Sequence, residues 1–133
     1  MHFMVQPAQT IVIAEDEPLT RMVAVAALTD AGFAVIETEH ADAALVTLRS
    51  RAADVHILFT DIHMPGSMNG LELAHHVSTH WPWIGVLIAS GHARPEIAEL
   101  PLGSRFLAKP YDPDHAVAQV TELMTEMITH RLP

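Results

Sequence analysis

The chain has 133 residues, half of them hydrophobic, and a formal net charge of −9 at pH 7. This length and composition predict one globular domain and exclude a disordered chain. The acidic balance argues against a basic face for nucleic acid or an anionic membrane surface, and the absence of cysteine excludes disulfides, thiolate metal sites and a cysteine nucleophile.

Residues 1–8 are interpreted as an N-terminal extension. The stretch 1–9 has neither the basic region nor the apolar core of an export signal, so no export signal is predicted. We expect the folded domain over residues 9–130 and no output domain after it. The apolar runs are far shorter than the ~20 residues of a membrane-spanning helix. A cytoplasmic protein is therefore expected.

Five apolar runs alternate with helical patterns along the chain. The predicted strands, in chain order, are 11–14, 34–36, 55–61, 84–89 and 106–108. The first predicted helix starts at Pro18 and carries on one face Leu19, Met22, Val23, Ala26 and Ala27. Further helices are predicted over 41–48, over 71–79 and from Pro113, whereas Pro95 and Pro101 allow at most a short helix between them.

The strand runs are continuously apolar, which is typical of strands buried on both faces of a parallel sheet. Strand and helix alternate five times, which predicts an open, three-layer α/β sandwich with right-handed crossovers. These patterns leave the order of the strands open.

Polar side chains follow four of the five predicted strands. They are, in strand order, Glu15-Asp16-Glu17, Asp61, Ser90 and Lys109. Because ligands of open α/β sheets bind outside the carboxyl ends of the strands, these groups are expected to converge on one rim. Taken singly, each has a structural explanation as a helix start, a turn or a surface residue; the prediction depends on all four falling in order.

Crowded carboxylates repel one another unless a cation lies between them. Mg²⁺ prefers oxygen ligands in an octahedral arrangement, and a carboxylate can act as a nucleophile that forms an acyl phosphate. A lysine beside it would offset the charge of a phosphoryl group in transfer. The pattern therefore indicates phosphoryl chemistry with a divalent metal.

Four segments of the sequence, IVIAEDEP, LFTDIHMPGSMNGLEL, VLIASGHA and FLAKPYDP, resemble the four motif blocks of bacterial response regulator receiver domains. The resemblance runs from about residue 9 to residue 127. It implies a doubly wound, flavodoxin-like fold with a five-stranded parallel sheet in the order 2-1-3-4-5. It also implies a cis peptide bond before Pro110.

The resemblance assigns a role to each rim residue. Asp61 corresponds to the phosphoacceptor, and Glu15 and Asp16 to the acidic pair that holds Mg²⁺ (or Mn²⁺) together with Asp61. The backbone carbonyl of His63 corresponds to a further metal ligand. The remaining positions are the phosphate-binding Lys109, the hydroxyl and switch residue Ser90, and the aromatic switch residue Phe106.

The implied function is to accept a phosphoryl group from a sensor histidine kinase or phosphotransfer protein, and to signal to a downstream protein by a conformational switch. A monomer or weak dimer is expected, with the readout surface formed by residues 94–100, the fifth strand and the last helix. Three departures from the family pattern stand out: Glu15 where aspartate is commoner, Phe106 in place of the frequent tyrosine, and a loop at 66–70 that is one residue longer.

The sequence is compatible with other interpretations. The chain could be a phosphorylation-independent interaction module of the same fold, or a receiver fragment of a larger hybrid kinase or regulator. A hydrolase with an aspartyl nucleophile is disfavoured because His63 stands where a second acid is usual, and a flavin carrier because acids follow the first strand. His76 and His80 have a zinc-binding spacing, but no third ligand is evident.

Overall fold

The computed structural model describes residues 8–91 and 95–131. These ranges contain five strands and four α-helices. In chain order they are β1 (Thr10–Ala14), α1 (Pro18–Asp30), β2 (Ala34–Thr38), α2 (Ala41–Arg51), β3 (Val55–Asp61), α3 (Gly70–His80), β4 (Gly85–Ser90), β5 (Arg105–Ala108) and α4 (Pro113–Arg131). Short 3-10 helices occupy Ala52–Asp54 and Ile97–Glu99.

The strands form one parallel sheet in the order β2-β1-β3-β4-β5. Both the predicted fold class and the strand order implied by the resemblance are therefore confirmed. Strand order reverses between β1 and β3, so the carboxyl ends of these two strands flank the crevice in which ligands of such sheets bind.

Two apolar layers lie on opposite faces of the sheet. Alternation along β1 sends Val12 and Ala14 toward the layer under α2 and α3, and Ile11 and Ile13 toward the layer under α1 and α4. These four side chains are at most 2% exposed. Burial on both faces explains why the strands appear in the sequence as continuous apolar runs.

The apolar face that the sequence suggested for α1 is not the face that the helix buries. Leu19 and Met22 remain 65% and 63% exposed, whereas Ala24 and Leu28, on the opposite side, are buried. Polar anchors at the start of the helix fix its rotation: Glu17 caps it, and Arg21 reaches back to the preceding loop. The pattern of hydrophobic residues takes no account of these polar contacts. It therefore predicted the helix correctly but gave the wrong buried face.

Residues 95–104, the described part of the segment before β5, are mostly irregular, as the two prolines predicted. Within the described residues 95–104, the only helical turn is the 3-10 helix at Ile97–Glu99, and a hydrogen-bonded turn follows in which the Ser104 N–H donates to the Pro101 carbonyl at 3.0 Å. The predicted readout segment begins at Arg94, which lies outside the described residues, as does most of the proposed N-terminal extension. The peptide bond between Lys109 and Pro110 is cis, which confirms that expectation.

Over the residues that the structure describes, no helix is both long enough and apolar enough to cross a membrane.

Candidate functional site

Three carboxylates meet where β1 and β3 end. Oxygens of Glu15, Asp16 and Asp61 all lie within 4.8 Å of one another, and they form the only group of three or more possible metal-ligating side chains in the described parts of the chain. Glu15 and Asp61 are only 5% and 8% exposed, whereas Asp16 faces solvent. The predicted convergence of these three residues is confirmed.

The loop that carries Glu15 and Asp16 is held by its neighbours. The backbone N–H of Glu17 donates to Glu15 Oε2 at 3.2 Å. The Glu17 carboxylate accepts from the N–H groups of Leu19 and Thr20 at 3.2 and 2.6 Å and so caps α1. Of the three consecutive acids, two therefore belong to the site and the third starts the helix.

Asp61 is fixed by the chain on either side of it. The N–H of Ile62 donates to Asp61 Oδ1 at 2.9 Å, which orients the carboxylate. The first residue of α3, Gly70, packs so closely that a Cβ there would lie 1.6 Å from the Asp61 carbonyl oxygen. Asn69 and Glu72 form a capping box at this helix end. Helix α3 thus starts directly against the backbone of the candidate phosphoacceptor.

Lys109, at the end of β5, supplies positive charge to the cluster. Its ammonium group hydrogen-bonds Glu15 and lies 3.3 Å from Asp61 Oδ2. Its backbone N–H donates to the Ser90 carbonyl at 3.0 Å, which places Lys109 beside the end of β4. The predicted approach of the lysine to the acids is therefore observed.

Burial and charge act on the two partners in different ways. Burial raises the pKa of Glu15, although the hydrogen bond from Lys109 works against it. For Lys109, burial would lower the pKa, but Glu15 and Asp61 together outweigh it and the pKa is raised. The raised pKa of Glu15 therefore reflects mainly its removal from water, and the raised pKa of Lys109 reflects the two carboxylates beside it.

The structure places the other predicted residues around this centre. Ser90 is the buried last residue of β4, and Phe106 is half-buried on β5, packed against the layer under α2 and α3. His63 is exposed, two residues after Asp61. The switch roles of Ser90 and Phe106 and the metal-ligand role of the His63 carbonyl remain predictions.

Two residues at the site were not identified from the sequence. Tyr111 packs edge-to-face on Phe59, with ring centroids 5.7 Å apart, and burial with the nearby charges of Glu15 and Asp61 raises its pKa to about 12. Arg21 hydrogen-bonds the Glu15 carbonyl at 2.8 Å. Its spacing of four residues from Glu17, at a helix start, was the only available signal.

An open cavity of about 490 Å³ adjoins the site. It lies between α1 and the chain after β5, and its lining includes Leu19, Val23, Lys109 and Tyr111. The exposed apolar side chains of α1 therefore border an opening that leads to the lysine.

The zinc hypothesis gains no support from the geometry. The rings of His76 and His80 are stacked, with centroids 4.0 Å apart and planes 16° from parallel. No third candidate ligand joins them among the described residues.

Comparison with known proteins agrees with this geometry. A family model described as the response regulator receiver domain matches residues 11–121. The nitrogen assimilation regulatory protein NtrX of Azorhizobium caulinodans is 31% identical over 128 residues, which cover 93% of this chain and 28% of the relative. The sensor kinase CckA of Brucella abortus is 30% identical over 86% of this chain and 12% of the relative.

Among solved structures, a response regulator receiver protein from Sinorhizobium medicae superposes with a TM-score of 0.84 at 29% identity, covering 90% of this chain and 97% of that one.

A five-stranded sheet in this order, with acids and a lysine at its carboxyl edge, defines the receiver class of signalling domain. This chain belongs to the response regulator receiver family of two-component systems. It spans less than a third of the length of the two curated relatives above.

Proposed function

We propose that this domain accepts a phosphoryl group on Asp61 from a phosphohistidine of a sensor histidine kinase or phosphotransfer protein. The observation that carries this proposal is the meeting of three carboxylates within 4.8 Å, beside the ammonium group of Lys109. We take residues 9–130 as the domain that accepts the phosphoryl group and residues 1–8 as an N-terminal extension. Because the donor histidine is phosphorylated at the expense of ATP, we place the domain in the cytoplasm.

The donor set fits Mg²⁺, or Mn²⁺ in its place. All its side-chain atoms are carboxylate oxygens, which hard cations prefer. Three carboxylates face one ammonium, so a divalent ion offsets the remaining charge. Glu15, Asp16 and Asp61 would hold the ion, with the backbone carbonyl of His63 as a further ligand. When bound, the ion supplies charge neutralisation to the transferring phosphoryl oxygens.

In the proposed step, an oxygen of the Asp61 carboxylate attacks the phosphorus atom. The P–N bond to the donor imidazole breaks, and the imidazole keeps the bonding electrons and takes up a proton. The Ile62 N–H holds the carboxylate in place, which lowers the entropic cost of the attack. Lys109 offsets charge on the phosphoryl oxygens, and the acyl phosphate later hydrolyses, which resets the domain.

Ser90 and Phe106 form the proposed switch. Ser90 ends β4 beside Lys109, and its hydroxyl would donate to the phosphoryl group once it is present. Its neighbour strand β5 carries Phe106, which would move further into the layer under α2 and α3. The irregular segment before β5 would shift with them and alter the surface offered to a downstream protein.

The donor protein must approach the opening beside Lys109. The exposed side chains of Leu19 and Val23 border this opening. Together with Met22, which is exposed on the same helix, they offer apolar area to a docking protein. We propose that the donor docks on this face of α1. Leu19→Asp would then slow transfer from a phosphorylated donor protein but leave transfer from a small-molecule donor unchanged, whereas equal slowing with both donors would contradict the assignment.

The test of the proposed function is incubation with a small-molecule phosphodonor, with and without Mg²⁺, followed by intact mass measurement. The wild type should gain one phosphoryl group only with the metal, and Asp61→Asn should gain none. Incorporation that survives Asp61→Asn would move the acceptor to another residue.

A non-hydrolysable mimic separates this function from a phosphorylation-independent module of the same fold. Beryllium fluoride with Mg²⁺ should change the NMR signals of Ser90 and Phe106 in the wild type and leave those of Asp61→Asn unchanged. An unchanged wild-type spectrum would favour the interaction module.

A further inference from the structure

Arg21 occupies a position between the acidic loop and the edge of the sheet. Its side chain is only 13% exposed although it carries a full charge. Nη1 donates to the Glu15 carbonyl at 2.8 Å, and Nε donates to Glu37 on β2 at 3.3 Å. Glu39 adds a longer ion pair at 3.9 Å. One guanidinium thus joins helix α1, strand β2 and the β1–α1 loop.

The contact to the loop falls on the backbone of a residue whose side chain faces the carboxyl cluster. Glu15 leaves β1 with its carbonyl toward Arg21 and its carboxylate toward Lys109 and Asp61. Fixing that carbonyl limits rotation of the loop, and so fixes the direction in which Glu15 and Asp16 point. Groups that hydrogen-bond a ligating side chain typically contribute 10- to 100-fold in metal affinity. Arg21 acts through the backbone of the ligand residue instead, so its effect should lie at the lower end of that range.

We infer that Arg21 is a positioning residue for the divalent-metal site: its guanidinium fixes the Glu15 backbone so that the carboxylates of Glu15 and Asp16 face Asp61. The inference deepens the proposed function, since it assumes that the cluster binds Mg²⁺. The fork geometry is essential, because Nε and Nη1 hold Glu37 and the loop at once, and a lysine has a single nitrogen.

Arg21→Lys tests the inference because it keeps the charge and removes the fork. Isothermal titration calorimetry with MgCl₂ would measure the Kd, and thermal unfolding in EDTA would measure stability. The matched control is Arg105→Lys, since Arg105 on β5 also serves several partners at once, on α4 (Gln119, Glu122 and Glu126), none of which belongs to the site.

We expect Arg21→Lys to weaken Mg²⁺ binding by about tenfold, while Arg105→Lys lowers the unfolding temperature and leaves the Kd unchanged. A lower unfolding temperature with an unchanged Kd in Arg21→Lys would make Arg21 a structural residue only and overturn the inference. Tighter Mg²⁺ binding would overturn it as well, because it would show that Arg21 opposes the metal through its charge.

A second variant keeps the test decisive if Arg21→Lys does not fold. Glu37→Ala leaves the bond from Arg21 to the Glu15 carbonyl but removes the acceptor of the Nε bond, so it should weaken Mg²⁺ binding by a smaller factor. An unchanged Kd would contradict the inference. A wild type that shows no Mg²⁺ binding would refute the proposed metal site itself, an outcome distinct from failure of the role of Arg21.

Discussion

Replacing Lys109 by methionine removes the positive charge from the carboxyl cluster while keeping the length of the side chain. The buried carboxylates of Glu15 and Asp61 then lose their ammonium partner. Breaking a fully buried ion pair costs about 3–5 kcal/mol, and Lys109 is 19% exposed, so solvent reduces this effect. We expect a loss of about 3 kcal/mol in the free energy of unfolding at neutral pH without metal.

For a domain of this size, that loss corresponds to a fall of about 10 °C in the unfolding temperature. Circular dichroism melts at about pH 7.5 in EDTA would measure it, and Lys109→Arg, which keeps the charge, should lose much less. Mg²⁺ should reduce the difference in stability between variant and wild type, because without the competing ammonium group the carboxylates should bind the metal more tightly, and tighter binding to the folded state stabilises it more.

The effect should also depend on pH. Burial already raises the pKa of Glu15 from its ordinary 4.5, and loss of Lys109 raises it further. A group with a raised pKa stabilises the folded state through its bound proton at low pH, and this contribution is lost as the pH rises through the folded pKa. The difference in unfolding temperature between the wild type and Lys109→Met should therefore become smaller as the pH falls from about 7.5 to about 5.

If Lys109→Met in EDTA were as stable as the wild type at neutral pH, the carboxylates would not depend on the lysine, and the electrostatic description of the site would be wrong.

Gly70, Tyr111 and Asn69 lie around the site, and each can be tested separately. In Gly70→Ala the new Cβ would overlap the Asp61 carbonyl. The substitution should therefore lower the free energy of unfolding by about 3 kcal/mol or more, measured by urea denaturation, and abolish phosphorylation. A folded variant that is still phosphorylated would show that α3 starts elsewhere. The only tyrosine of the sequence, Tyr111, should ionise with a pKa of about 12 in absorbance titrations, and Glu15→Gln should lower that pKa. An ordinary pKa of 10 in the folded protein would place the ring outside the site. Asn69→Ala removes the N-cap of α3 and should lower the free energy of unfolding by about 1 kcal/mol, which a lower urea midpoint would show. An unchanged midpoint would argue against the capping box.

The sequence predicted those features of the fold and site that depend on chain order. Continuous apolar strands marked the sheet, and each strand end delivered its polar residue to the same edge. Asp61 and Lys109, 48 positions apart in the sequence, meet because β3 and β5 are parallel strands of one sheet. Such convergence follows from topology and needs no knowledge of side-chain packing.

The features that the sequence did not predict depend on packing. The buried face of α1 is set by polar anchors at its start, and Arg21 is one of them, so counting hydrophobic residues gave the wrong side. Tyr111 reaches the site only because its ring packs against Phe59 on a strand distant in sequence. Contacts of this kind depend on the rotation of elements, which hydrophobic periodicity leaves undetermined.

The most direct test of the central claim is to locate the phosphoryl group itself. Wild-type protein treated with a small-molecule phosphodonor and Mg²⁺ would be reduced with borohydride, which converts an aspartyl phosphate to homoserine, and its peptides sequenced by mass spectrometry. We predict homoserine at position 61 and at no other aspartate. Aspartate left intact at that position, with the phosphoryl group found on another residue, would contradict the account.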